Sequence, residues 1–83
     1  MNQFIIEKYI NKLTKQDIIN YANNQNIILP ESDVDTIYYY IKNKYTLFLQ
    51  GHQEELLNEI KHKVTHPTYL KLEELYNLYK NKI

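Results

Sequence analysis

Residues 32–49, SDVDTIYYYIKNKYTLFL, constrain the fold of this chain more than any other stretch. Val34, Ile37, Tyr38, Ile41 and Tyr45 recur at spacings of three and four, which lines them up on one face of an α-helix. Tyr40 borders that face. Tyr39 falls roughly opposite it, because successive helical residues are about 100° apart, and is expected in solvent. Ser32 is expected to be the N-cap, with Asp33 and Asp35 in the first turn at the positive end of the helix dipole. Lys42 and Lys44 then fall towards the negative end. Thr46 to Gln50 is apolar and partly β-branched, so residues 45–49 allow a minor extended segment paired with residues 27–29.

The flanking chain supplies four further helix signals. Ile6, Tyr9, Ile10 and Leu13 share one face of a helix over residues 3–12, with Phe4 and Ile5 beside it. Thr14 opens a second helix with a capping-box pattern that ends in Asp17, and Leu13 and Ile18 occupy the staple positions. Ile18, Ile19, Tyr21 and Ala22 form its apolar stripe. The asparagine-rich run at residues 23–26 is expected to end it, since asparagine tolerates the left-handed conformation. Ile27, Ile28 and Leu29 then link to Pro30 and read as a core-covering connector. Gly51, the only glycine, is expected to turn the chain into a fourth helix over residues 53–63 that buries Leu56, Leu57, Ile60 and Val64. Thr65-His66-Pro67 breaks that helix. Thr65 or His66 caps the last one, with Pro67 in its first turn. Leu72, Leu75, Tyr76, Tyr79 and Ile83 follow at near-heptad spacing, with Tyr69 and Leu78 at the margins. The expected architecture is an all-α compact bundle of about five short helices, a single helical domain over residues 1–83.

Composition narrows the function classes. Eighty-three residues can build one modest core. There is no cysteine, hence no disulfide framework and no thiolate zinc site. Lysine and arginine together equal aspartate and glutamate, so no net field draws the chain to nucleic acid or anionic lipid. Every strong base is lysine, and arginine, the usual bidentate phosphate binder, is absent. The start of the chain lacks a signal-peptide pattern, and no apolar run approaches the ~20 residues of a membrane span. A soluble, cytoplasmic protein is expected. The bias towards Asn, Lys, Ile and Tyr is the one an AT-rich genome imposes, so nine tyrosines are not by themselves a functional signal.

The order of motifs resembles the YqfT-like family, small Bacillota proteins of unknown function. The matching features are INKLT at residues 10–14, DIINYA at 17–22, Ile27 with Leu29, YIKNK at 40–44, Leu47-Phe48, Glu59-Ile60, and Thr65 with Pro67. They run through nearly the whole chain. Where that family is expected to carry a glycine before Ile27 this chain has Asn26, and its basic-Gly-Lys tripeptide is Lys42-Asn43-Lys44. The resemblance implies a shared helical fold, no catalytic residues and a bacterial, Gram-positive origin.

Several residue clusters have plainer readings than the sites they resemble. His62 and His66 are four apart, with His52 as a third imidazole, but Pro67 and Thr65 interrupt the helix and no H-E-x-x-H acid accompanies them. Glu31, Asp33 and Asp35 alternate like calcium ligands, yet the glycine and the closing glutamate of an EF-hand loop are missing. Acids at a helix N-terminus are the simpler reading. A helix-turn-helix is disfavoured by the long connector over residues 25–31 and by the acids that open the third helix. With one glycine, no phosphate-binding loop can form, and no catalytic triad order or carboxylate pair is present. No enzyme activity, cofactor or metal is expected.

The sharpest feature is Tyr38-Tyr39-Tyr40 followed by Lys42 and Lys44. Tyr39, Tyr40, Lys42 and Lys44 are therefore the candidate interaction patch of a non-catalytic protein-protein interaction domain. The alternative is weak single-stranded nucleic-acid binding, with bases stacked on the tyrosines and phosphates on the lysines. The partner is an unidentified protein or a second copy, the latter through Leu72, Leu75, Tyr76 and Tyr79 of the last helix. No membrane partner is expected.

Overall fold

In the computed structural model, which describes residues 3–81, the chain forms α1 (Gln3–Lys12), α2 (Lys15–Asn24), α3 (Glu31–Leu49), α4 (Gln53–Lys61) and α5 (His66–Asn81). The side chains of Gln3, Tyr79 and Asn81 fall outside the description, and the expected place of Ile83 lies outside the described residues. The class is all-α, with no strand among the described residues. The Cα radius of gyration is 12.5 Å, close to the ~12 Å of a compact domain of this length.

Local chemistry explains most of the helix ends. The Thr14 hydroxyl accepts from the Asp17 N–H at 3.1 Å, and the Asp17 carboxylate accepts from the Thr14 N–H at 2.9 Å, a complete capping box. At the end of α2, Asn26 adopts φ 61°. The Ile27 N–H donates to the Ala22 carbonyl and the Asn26 N–H to the Asn23 carbonyl, the two bonds of a Schellman cap. Asparagine thus fills the left-handed position usually given to glycine. The same pair of bonds ends α3, from His52 N–H to Leu47 carbonyl and from Gly51 N–H to Phe48 carbonyl, with Gly51 at φ 97°.

Two expectations about α3 are corrected. It begins at Glu31 rather than after Ser32, and the Asp33 and Val34 N–H groups donate to the Pro30 carbonyl. Residues 45–49 are helical, not extended. The physical reason is that Leu47 and Phe48 continue a second stripe, Asp33-Ile37-Tyr40-Lys44, on the flank of α3 away from Tyr38 and Tyr45. A helix covered on two flanks reads as apolar around much of its circumference.

α3 is the central element. α1 and α2 pack along one side of it and α4 along the other, while α5 packs on α4. The buried cluster is Ile18, Val34 and Ile37, and Leu13, Ile19, Leu29, Tyr38, Ile41 and Leu72 pack around it. Leu56 is buried in α4, and Leu57, Ile60 and Val64 are half-buried. Ile27 and Leu29 cover the core as a connector, whereas Ile28 between them points into solvent.

Candidate functional site

The four residues of the expected patch have different fates. Tyr39 is 52% exposed and Tyr40 only 6%. Tyr40 lies on the second stripe of α3, its hydroxyl donates to Glu59 Oε1 at 3.1 Å, and Lys63 stands 5.5 Å over its ring. Tyr39 meets its ring edge-on at a centroid distance of 5.5 Å. Tyr40 is thus a core residue that joins α3 to α4, whereas Tyr39 is exposed as its place on the helix predicts. Lys44 is half-buried.

Lys42 has a structural task. Its Nζ donates to the carbonyls of Ile10 at 2.7 Å and Asn11 at 3.1 Å, and it lies 5.5 Å over the Tyr38 ring. These carbonyls belong to the last turn of α1, where the Ile10 carbonyl also accepts the Leu13 N–H at 3.1 Å and the dipole favours a cation. Lys15 covers Tyr38 at 5.6 Å and pairs with Asp35 at 2.8 Å. Of the expected Tyr/Lys patch, Tyr39 is exposed and Lys44 half-buried, while Tyr40 lies in the core and Lys42 binds a helix end. Lys42→Met, which keeps the stem but not the donors, is expected to cost about 1–2 kcal/mol. It should speed amide exchange in α1 selectively, measured by hydrogen–deuterium exchange.

A buried polar joint lies at the other end of α3. Asp33 is 1% exposed and Thr68 is 3% exposed. Asp33 Oδ2 accepts from the hydroxyls of Thr65 and Thr68, each at 2.6 Å, and both carboxylate oxygens lie 3.2 Å from the Thr65 N–H. The two hydroxyls are 3.0 Å apart. Thr65 immediately precedes α5, so Asp33 serves as a cap for a helix that starts 33 residues later. It also sits in the first turn of its own helix, so two positive dipole ends converge on one carboxylate. Burial alone pushes the Asp33 carboxyl up, but the bonds from Thr65 and Thr68 outweigh it and hold the pKa below the ordinary value of 3.8. This joint is satisfied and closed, with no unpartnered buried side-chain polar atom among the described residues.

One concave surface of the molecule is mainly apolar. A cleft of about 290 Å³ opens between α1–α2 and α5, with α3 as its floor. Ile18 and Ala22 of α2, Ile37 and Ile41 of α3, and Leu72 and Leu75 of α5 line it. Tyr9, Tyr21 and Lys71 also contribute to its lining. Tyr9 is 71% exposed and Tyr21 52%. The edge of α1 next to this cleft also exposes Ile5, one turn before Tyr9. Among the described residues no three His, Asp or Glu side chains gather as a metal site would require, and His52 instead lies 3.4 Å from Glu55. No described helix is long and apolar enough to cross a membrane.

Sequence reading missed this cleft because its walls come from four helices. Tyr9 and Tyr21 were each legible as members of an apolar stripe, but nothing local says that the stripes of α1 and α2 are only partly covered. The signal available was the breadth of the α1 stripe: Ile5, Tyr9, Ile6 and Ile10 span an arc of about 140°, and of these Ile5 and Tyr9 stay exposed. The family described as "Protein of unknown function (DUF2624)" matches residues 1–80. No curated protein and no solved structure matches the chain.

Proposed function

The chain belongs to this family of unknown function, and on that premise we propose that it is a non-catalytic protein-protein interaction domain whose binding surface is the α1–α2–α5 cleft. The observation that carries the reading is an apolar cleft lined by the exposed rings Tyr9 and Tyr21. Apolar surface of this kind, centred on tyrosines that lose little entropy on binding, is what protein partners use as an anchor point. A cleft bounded by helices suits an amphipathic helix that inserts side chains at i, i+3 or i+4, and i+7. The Asp33 joint and the Lys42 cap supply rigidity rather than chemistry.

A YqfT-like, Bacillota origin and a cytoplasmic setting are part of the proposal. They are supported by the motif series from residue 10 to residue 67, by the AT-type composition and by the lack of cysteine. The test is a photo-crosslinking amino acid placed at position 21 or, as the comparison, at position 39, in living cells of the source organism. Discrete protein adducts at position 21 that exceed those at position 39 are expected. No adducts at position 21, or equal and diffuse labelling at both positions, would contradict the reading.

A further inference from the structure

We propose that the occupant of the cleft is a second copy of this chain, seated so that the exposed α1 edge of each copy covers the cleft of the other. The inference rests on the interaction reading above and assigns its partner.

Surface area gives the first support. A folded monomer of 10.1 kDa exposes ~5,300 Å² by the general scaling of surface with mass. This chain exposes 6166 Å², an excess of ~900 Å². A standard interface removes ~800 Å² from each partner. The excess is not the result of an extended shape, because the radius of gyration is that of a compact domain. Its apolar part includes Ile5 at 61%, Tyr9 at 71% and Tyr21 at 52% exposure, together with the open cleft. Among the described residues only six apolar residues are buried, so the surface that a core would ordinarily remove is still uncovered.

Symmetry gives the second. A two-fold interface uses the same patch on both copies and must be self-complementary. Here a convex apolar ridge, Ile5 and Tyr9 on α1, adjoins a concave apolar cleft, with Tyr9 belonging to both. One rotation about an axis near Tyr9 and Tyr21 places each ridge over the opposite cleft. Charge permits it. The chain is formally neutral, so two copies do not repel. Lys12 stands beside Tyr9 on the ridge, and Glu74 stands at the α5 wall, 3.1 Å from Lys71, with 59% of its side chain exposed. In the pairing, Lys12 of one copy meets the Lys71–Glu74 ion pair at the α5 edge of the other, with Asp17 also lining that cleft.

The test is sedimentation equilibrium of the purified full chain over a wide concentration range, for wild type, Ile5→Glu, Tyr9→Glu and the control Ile28→Glu. All three substituted side chains are exposed, so circular dichroism should show unchanged helicity. Wild type and Ile28→Glu are expected to approach twice the monomer mass. Tyr9→Glu should weaken dimerisation about 30-fold or more, the effect of an interfacial hot spot. A carbodiimide crosslink between Lys12 of one isotope-labelled copy and Glu74 of an unlabelled copy is expected in wild type alone or with Ile28→Glu. A monomer mass at every concentration overturns the proposal, as does a dimer that Ile5→Glu and Tyr9→Glu leave intact. A monomeric chain that still gives position-21 adducts with other proteins in cells removes the second copy and leaves the interaction reading standing. A monomeric chain with no such adducts removes both.

Discussion

Asp33→Ala is expected to destabilise the protein by about 3 kcal/mol. The substitution removes a carboxylate that is 1% exposed and leaves the Thr65 N–H and the Thr65 and Thr68 hydroxyls without their acceptor. Against a total stability on the order of 4–12 kcal/mol for a chain of this length, such a loss is large, and it corresponds to a fall in melting temperature of roughly 12–24 °C. Asp33→Asn keeps the volume and one acceptor but loses the charge that two helix dipoles favour, so its cost should be about half as great.

The same joint sets an acid limit. The folded-state pKa of Asp33 is depressed below 3.8, so folding favours the ionised form. Its contribution is therefore fully present above the unfolded value and is lost as pH falls through the depressed folded value. Thermal melts between pH 2 and pH 6 (roughly the window of carboxylate titration) should show stability falling on the acid side. The fall should be shallower in Asp33→Asn. An acid limb of equal steepness in both proteins would show that Asp33 contributes no such linkage.

Tyr40→Ala is expected to cost about 3–4 kcal/mol, the range for removing a buried aromatic ring. Tyr39→Ala should cost less than about 1 kcal/mol, since Tyr39 is half exposed and gives up mainly its edge-on contact with Tyr40. Tyr40→Phe isolates the hydroxyl bond to Glu59 and should cost about 1 kcal/mol. Chemical denaturation of the three variants measures this ordering. Equal, small effects at positions 39 and 40 would place both rings on the surface and restore the original patch.

This contrast shows what was legible in the sequence. The five helices were, because their ends are written locally: the Thr14–Asp17 capping box, the asparagine run before Ile27, Gly51, and Pro67 in the first turn of α5. Each device acts within a few residues of itself. The inward stripe of α3 was legible for Val34, Ile37, Tyr38 and Ile41. Its second stripe was not, because Asp33, Tyr40 and Lys44 are polar or amphipathic and do not register as core until a partner helix is known to face them. Ser32 was the better cap by residue type, yet α3 starts two residues earlier than that cap implies, at Glu31, where Pro30 supplies only a carbonyl. In isolation residues 45–49 look apolar, with one β-branched residue, Thr46, but they extend a helix that is already nucleated and packed.

The features that fix the tertiary arrangement span the longest separations. Asp33 reaches Thr65 and Thr68, and Lys42 reaches Ile10 and Asn11. An acid in a first turn and a lysine after three tyrosines carry no mark of such partners. The cleft is further removed still, since it is defined by what the α1, α2 and α5 stripes leave uncovered on α3.

The most direct measurement is carbene footprinting of the chain in living cells, compared with the purified chain at high dilution. If the α1–α2–α5 cleft is a working interface, labelling at Tyr9, Tyr21, Leu72 and Leu75 falls in cells while labelling at Tyr39 and Ile28 stays the same. Equal labelling of the cleft in both states would contradict its role as an interface.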